Sequence, residues 1–134
     1  MRAKLVAIAF TVTLVAAGLT PALAAPGQPA PSVAIQYQVV LLTPTTLLVT
    51  VTASCAPWSG GTAYVVVTVE QPIAGTSFAE EGRGAGFVSC DGNAHDLVID
   101  VGGGPFTLGP ADAYAEITTV ITTTDARKVL IVAP

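Results

Sequence analysis

The chain has 134 residues, of which 51% are hydrophobic and 10% are charged, and its formal net charge is −4. Five Lys and Arg residues are too few to form a basic surface for nucleic-acid phosphates, and an acidic chain is repelled by anionic membrane surfaces. The composition therefore argues against nucleic-acid and membrane partners, and the acidity is best explained as a source of solubility for an apolar protein.

The first 24 residues have the features of a secretory signal peptide. Arg2 and Lys4 precede an apolar run over residues 5–19, and the small residues that signal peptidase accepts follow at residues 22–24. The alternative is a membrane anchor, but a Thr-Pro pair ends the run before it reaches the ~20 residues that a bilayer requires. We expect cleavage after Ala24 and release of the protein outside the cell.

Cleavage would leave 110 residues, which is the usual size of one domain. Residues 25–31, APGQPAP, are Pro-rich and predict a flexible leader, so we assign the single domain to residues 32–134. Only Arg83, Arg127 and Lys128 then remain against nine carboxylates, which gives a net charge of −6.

Apolar residues that alternate with polar ones predict β-strands along this domain. Segment 46–55, TLLVTVTASC, shows the alternation, and segments 63–70 and 95–101 repeat it. Less regular apolar segments bring the number of predicted strands to seven; they cover residues 33–42, 85–90, 112–122 and 127–132. Because Gly or Pro follows nearly every segment, we predict an all-β fold, an Ig-like antiparallel two-sheet sandwich, with a small barrel as the alternative.

Cys55 and Cys90 are the two cysteines of the chain, and an even number of cysteines in a secreted protein predicts a disulfide. The bond would span 35 positions and stabilise the fold by roughly 3–4 kcal/mol. Free thiols that bind a metal or act as nucleophiles are the alternative, but neither cysteine has a basic neighbour that would favour a thiolate.

Residues 89–101, SCDGNAHDLVIDV, contain one cysteine, the only histidine and three carboxylates, which are side chains that bind metals and transfer protons. Because Asp, Gly and Asn favour tight turns, we interpret residues 91–94 as a turn between two strands. The alternative is a metal site on Asp91, Asn93 and His95. A calcium loop would need more oxygen ligands and a zinc site more His or free Cys, so we predict no metal.

No group of residues has the spacing of a catalytic site. A G-x-S-x-G motif is absent, and His95 is the only histidine that could serve a catalytic triad. Residues 82–86, GRGAG, lack the lysine and the following helix of a phosphate-binding loop, so we interpret them as a flexible loop, and residues 101–105 as a turn. We therefore predict a protein that is not an enzyme and has no cofactor.

Residues 71–84 form the longest irregular segment, and long loops on rigid β domains are where binding surfaces usually lie. Phe78 stands in this segment among small residues, with Glu80, Glu81 and Arg83 close by, and we predict that these four residues contact a partner. The competing interpretation is that Phe78 fills one end of the domain and contributes to stability only.

Trp58 follows Cys55 on a Pro- and Gly-rich loop. Its ring either packs over the disulfide, which is the simpler interpretation, or is exposed as a contact for a partner. We regard Trp58 as the second candidate for binding, after Phe78.

The order of these segments resembles a known group. A strand that ends in Cys55, a Val- and Thr-rich strand after a Gly-rich turn, SCDGNAHDLVIDV, and GPADAYAEIT from Gly109 are similar to small secreted proteins of high-GC Gram-positive bacteria that carry an uncharacterised Ig-like domain. This resemblance implies no activity. GGTAY at residues 60–64 is slightly similar to the apoproteins of enediyne antibiotics, which are acidic Ig-like carriers with two disulfides, whereas this chain can form one.

Two functions follow as expectations. The first is a secreted non-catalytic domain that contacts an extracellular protein or surface, and the second is a carrier of a small apolar ligand. They differ in whether Trp58, Phe78 and Phe106 converge on a deep apolar cleft, which a carrier of a drug-sized ligand needs.

Overall fold

The computed structural model describes residues 30–57 and 61–134, and its regular structure consists of eight β-strands. The predicted signal peptide, nearly all of the predicted leader and Trp58 lie outside these residues. The strands are β1 Ser32–Ile35, β2 Gln38–Thr43, β3 Thr46–Ser54, β4 Thr62–Pro72, β5 Ala79–Ser89, β6 His95–Gly103, β7 Gly109–Thr118 and β8 Thr122–Val132.

Seven of these strands form one closed ring. The order around the ring is β3-β2-β8-β7-β4-β5-β6, and β6 closes it by pairing with β3 along the length of both strands. All neighbours are antiparallel except β2 and β8, which run parallel, and β1 pairs with the end of β3. The all-β prediction is confirmed, and the strands form a barrel of seven.

The core is built from the period-two alternation of the strands. In β3 and β4, every second residue is buried and the residues between them face outwards, as the sequence predicts. The largest fully buried side chains are aliphatic, and they are Ile35, Val39, Leu47, Val49, Val51, Val65, Val67, Val69, Ile99, Val101, Ile117 and Ile131. Burial of these side chains away from water is the main stabilisation of the barrel.

The predicted first strand, residues 33–42, is divided into two strands. At the break the Gln36 amide donates to the Thr50 carbonyl of β3 (2.9 Å), whereas the Tyr37 carbonyl accepts from the Leu130 amide of β8 (2.9 Å). The chain thus passes from one neighbour to another at this point. Hydrophobic alternation does not show such a change of partner, and the prediction of one strand was wrong.

The fifth strand is longer than predicted. The sequence predicts a strand only over residues 85–90 and a loop over residues 71–84, but β4 continues to Pro72 and β5 begins at Ala79. Residues 82–86 are therefore part of a strand, and their interpretation as a flexible loop was wrong. Gly takes every second position here, so the inward face carries no hydrophobic signal.

These glycines allow β5 and β6 to lie unusually close together. A Cβ atom on Gly84 would overlap the carbonyl oxygen of Asp100 in β6, and one on Gly82 would lie 2.8 Å from Cζ of Phe106. The two strands pair directly only through Gly82 with Gly103 and Arg83 with Gly102. Any larger side chain at position 84 would push β5 away from β6.

The last predicted strands also differ in their bounds. The sequence predicts one strand over residues 112–122 and another over 127–132, whereas β7 ends at Thr118 and β8 already begins at Thr122. The turn between them is closed by the Thr119 amide, which donates to the Ile121 carbonyl (3.0 Å). A run of Thr residues on both sides of the turn hides it from sequence analysis.

The predicted disulfide between Cys55 and Cys90 is confirmed, with a Cα–Cα distance of 4.6 Å. Both half-cystines are buried, one just after β3 and the other just after β5. The Cys90 amide donates to the Gly61 carbonyl (2.8 Å), and the Cys55 carbonyl accepts from the Gly92 amide (2.9 Å). The bond thus links two strands that are not neighbours in the ring.

Substitution Gly84→Ala should destabilise the protein by about 3 kcal/mol, because the added methyl group can be placed only if β5 moves away from β6. Gly102→Ala is the matched control, since a Cβ atom there meets nothing within 4 Å. We expect the control to unfold within about 0.5 kcal/mol of the wild type in urea. Equal stability of the two variants would contradict the close approach of the strands.

Candidate functional site

An open cleft of about 780 Å³ lies at the end of the barrel where β4 ends and β7 begins. Its lining is largely apolar, with prolines from three segments of the chain. The residues that line it include Gln71, Ile73, Glu80, Leu108, Asp112 and Lys128.

Gln71 holds the wall of this cleft in place. Its side chain is 7% exposed, and Nε2 donates to the carbonyl oxygens of Thr107 (2.9 Å) and Pro110 (3.3 Å). Its Oε1 accepts from the Thr107 amide (2.9 Å). These bonds fasten the segment that connects β6 to β7 onto the end of β4, and a fully hydrogen-bonded buried amide stabilises one conformation.

Phe106 fills the end of the barrel beneath the connecting segment. Its ring is 2% exposed, and its amide donates to the Pro44 carbonyl (2.7 Å). The ring also occupies the space above Gly82 that a larger side chain would need. Phe106 therefore belongs to the core and does not line the cleft.

Phe78 has the opposite environment, with 73% of its surface exposed. It ends the hairpin loop at residues 73–78, in which the Ile73 amide donates to the Phe78 carbonyl (3.0 Å) and the Phe78 amide donates to Oγ1 of Thr76 (3.1 Å). The interpretation of Phe78 as the residue that fills the end of the domain was wrong, because Phe106 has that position. The hairpin instead holds Phe78 in solvent beside the cleft.

Charged residues from β5, β7 and β8 line the cleft. Lys128 donates to Oδ1 of Asp112 across β7 and β8 (2.7 Å), and this hydrogen bond and the negative charge of Asp112 raise the pKa of Lys128. Glu80 lies opposite Gln71 in the pairing of β4 with β5 and lines the cleft directly.

The structure divides the predicted binding residues between two surfaces. Glu80 lines the cleft and Phe78 adjoins it through the bond of its carbonyl to the Ile73 amide, whereas Arg83 lines a separate groove of about 350 Å³ on the outer face of the barrel. Glu81 alternates with Glu80 along β5 and lies on that outer face opposite Glu70. Trp58 lies outside the described residues.

Sequence analysis missed Ile73, Leu108 and Gln71. Ile73 and Leu108 stand alone among polar and small residues, and isolated apolar residues carry no periodic signal. The sequence could have identified Gln71. This residue continues the buried positions of β4 in steps of two, and a polar side chain at a buried position needs hydrogen-bond partners inside the protein.

A second exposed apolar feature lies near the other end of the barrel. The rings of Tyr64 and Phe87 are 5.2 Å apart and tilted by 50° on the outer face of β4 and β5. Phe87 is 64% exposed, so it has nearly the exposure of Phe78 without being at the cleft.

The segment between β5 and β6 forms the predicted turn. Oδ1 of Asp91 accepts from the Asn93 amide (2.9 Å), Nε2 of His95 lies 2.8 Å from the same oxygen, and Gly92 has a φ of +84°. The backbone bond from Asn93, followed by the contact with His95, lowers the pKa of Asp91. Among residues 30–57 and 61–134, no three His, Cys, Asp or Glu side chains are grouped so that they could hold a metal ion.

No protein-family model matches this chain, and no curated protein matches its sequence. The part of the chain that the structure describes contains no helix that is long and apolar enough to cross a membrane.

Substitution Gln71→Glu should destabilise the protein by about 3 kcal/mol or more. The new carboxylate would accept from the Thr107 amide, but it could not donate to the two carbonyl oxygens, and a buried charge would be left beside them. Gln38→Glu makes the same chemical change at an exposed position and should shift stability by at most about 0.5 kcal/mol. Urea unfolding of both variants measures the difference, and equal values would contradict the structural role of Gln71.

The turn makes stability depend on pH through Asp91. Its pKa is below 3.8 in the folded state, so the carboxylate contributes stability above pH 3.8, and this contribution is lost as the pH falls through the lowered pKa. The difference in Tm between wild type and Asp91→Asn should therefore shrink as the pH falls below 3.8. Asp100→Asn, on the exposed face of β6, reports the general effect of removing one negative charge, and an identical pH dependence of both variants would argue against a specific role of Asp91.

Proposed function

We propose that this chain is a secreted, non-catalytic Ig-like domain that binds an extracellular protein or surface through the cleft at the end of the barrel. The proposal rests on the exposure of large apolar side chains at this cleft: Leu108 (58% exposed) and Ile73 (36%) line it, and Phe78 (73%) ends the hairpin loop that begins at Ile73. Contiguous exposed apolar residues that are bordered by polar ones are typical of sites of interaction.

Secretion is favoured by the sequence of the first 24 residues together with the disulfide. Disulfides persist in oxidising compartments outside the cytosol, and Cys55 and Cys90 are joined in the core. A single bond of this kind suits a small domain that must remain folded outside the cell.

An Ig-like arrangement is favoured by the unequal pairing around the ring. β5 and β6 share only two residue pairs, and β2 and β3 share three, whereas the other antiparallel neighbours in the ring pair along most of their length. These two seams of limited pairing divide the barrel into one layer of β3, β6 and the adjoining β1 and another layer of β2, β8, β7, β4 and β5. Two layers with a shared core are the arrangement of a sandwich.

A non-catalytic role agrees with the positions of the reactive side chains. His95, the only histidine of the sequence, lies at the start of β6, in the turn with Asp91. The cleft lies beyond the opposite end of β6, where the chain continues to β7. No histidine therefore faces the cleft, and the buried amide in its wall, Gln71, is fully engaged in structural hydrogen bonds.

The second candidate is a carrier of a small apolar ligand, which the size of the cleft favours. Its volume of about 780 Å³ lies within the range of roughly 300–1,000 Å³ that holds drug-sized ligands. Native mass spectrometry of the protein purified from its own culture medium distinguishes the two candidates, because a carrier should retain a small molecule and a contact domain a second polypeptide.

For a captured partner, Phe78→Ala should weaken binding by about 2 kcal/mol, which is roughly a 30-fold increase in Kd. The exposed ring contributes little to folding, so the free energy of unfolding should change by no more than about 0.5 kcal/mol. Phe87→Ala is the matched control and should leave the affinity unchanged. Isothermal titration calorimetry of both variants, together with their melting curves, gives the comparison.

The proposal would be wrong if Phe87→Ala lost the partner and Phe78→Ala bound it normally. That result would place the interface on the outer face of β4 and β5.

A further inference from the structure

We propose that the cleft recognises a basic segment of the partner, in which an apolar side chain stands between Lys or Arg residues. This inference rests on the proposed function, since it names the chemistry of the ligand for the same cleft. It follows from two features of the cleft, which are its apolar lining and a border of carboxylates that few cations of the protein neutralise.

The apolar half of the site accepts a side chain of limited size. Ile73 and Leu108 are exposed and line the cleft, the first from the loop after β4 and the second from the segment before β7. Gln71 holds the segment before β7 to the barrel, and the hydrogen bond between the Ile73 amide and the Phe78 carbonyl closes the loop. A preformed apolar cleft binds an apolar side chain at a low cost in conformational entropy.

The acidic border consists of Glu70, Glu80, Glu81 and Asp112. Glu70 on β4 pairs in register with Glu81 on β5 and with Asp112 on β7, so three carboxylates lie side by side across three strands. Glu80 and Asp112 line the cleft itself. The border thus joins the cleft to the outer face of the sheet.

The protein neutralises little of this charge. Lys128 is bonded to Asp112, whereas Glu70, Glu80 and Glu81 have no ion-pair partner within residues 30–57 and 61–134. Arg83 lies two residues beyond Glu81 on β5, and it lines the separate groove. Two carboxylates, Glu80 and Asp112, therefore line the cleft with the ammonium group of Lys128, and Glu70 and Glu81 add two carboxylates without an ion-pair partner among the described residues on the adjoining outer face.

Like charges directly opposite each other on neighbouring strands destabilise a sheet. The pairing of Glu70 with both Glu81 and Asp112 therefore costs stability in the free protein, and a cation from outside relieves the repulsion. An anionic membrane or a nucleic acid would increase it, and a neutral ligand would leave it unchanged. Charge complementarity thus selects a basic polypeptide as the occupant.

The test uses three acetylated and amidated pentapeptides with the whole secreted chain. One alternates lysine with leucine, one alternates glutamate with leucine, and one alternates lysine with serine. In two-dimensional NMR spectra of the ¹⁵N-labelled protein, the lysine–leucine peptide should shift the backbone amides of Gln71, Ile73, Leu108 and Asp112 with a Kd of about 1 mM or tighter. The other two peptides should bind at least about tenfold more weakly.

Variants show whether the acidic border is responsible. Glu80→Gln and Glu81→Gln should each increase the Kd of the lysine–leucine peptide severalfold, and their combination should add to the effect. Glu116→Gln is the matched control, because this carboxylate lies at the separate groove, and it should leave the Kd unchanged. Melting curves of each variant verify that the barrel remains folded.

The outcomes separate this inference from the proposed function. Equal binding of the lysine and glutamate peptides with leucine would overturn the charge selection and leave an apolar binding cleft in place. Equal binding of the lysine–serine peptide, or an equal loss with Glu116→Gln, would show diffuse attraction to an acidic protein and also overturn it. If none of the peptides shifts the cleft amides, the inference fails, and the effect of Phe78→Ala on a captured partner still decides the proposed function.

Discussion

The close approach of β5 and β6 is the constraint on which the rest of the barrel depends. Only glycine can occupy position 84, because a Cβ atom there would overlap the Asp100 carbonyl oxygen. The absence of a side chain at Gly82 leaves room for the ring of Phe106. Because β5 follows β4 through one hairpin, this contact also fixes where the hairpin and Phe78 lie. Ring closure, the filled end of the barrel and the position of the cleft are thus consequences of one pair of strands that can touch backbone to backbone.

The cleft itself exists because one polar side chain is buried in place of an apolar one. Gln71 occupies an inward position of β4 where a valine would continue the core, and it uses its amide to hold Thr107 and Pro110. A valine there would leave an amide and two carbonyl groups without these partners, which costs free energy wherever water is excluded. The buried amide therefore stabilises the shape of a surface site and contributes less to the core than a hydrophobic side chain would.

Acidic residues have three different roles in this small protein. Asp91 closes a turn, and Asp125 accepts a hydrogen bond from the Ile35 amide of β1 (2.8 Å), so both carboxylates satisfy backbone groups. The carboxylates of the acidic border satisfy no such group, and Glu70 lies directly opposite both Glu81 and Asp112. Like charges in this arrangement lower the stability of the free protein, and their lack of a structural role agrees with the binding proposed for the cleft.

Sequence by itself determined the features that depend on neighbours along the chain. Alternation identified the buried faces of β3 and β4, the Asp-Gly pair identified the turn after Cys90, and two cysteines identified the disulfide. Tertiary structure alone decided which strands pair, that a segment with glycine at every second position is a strand, and that Gln71 meets groups 36 and 39 residues away. The physical reason is range: side-chain period and turn chemistry act within a few residues, whereas ring closure and the cleft arise from contacts between segments that only folding brings together.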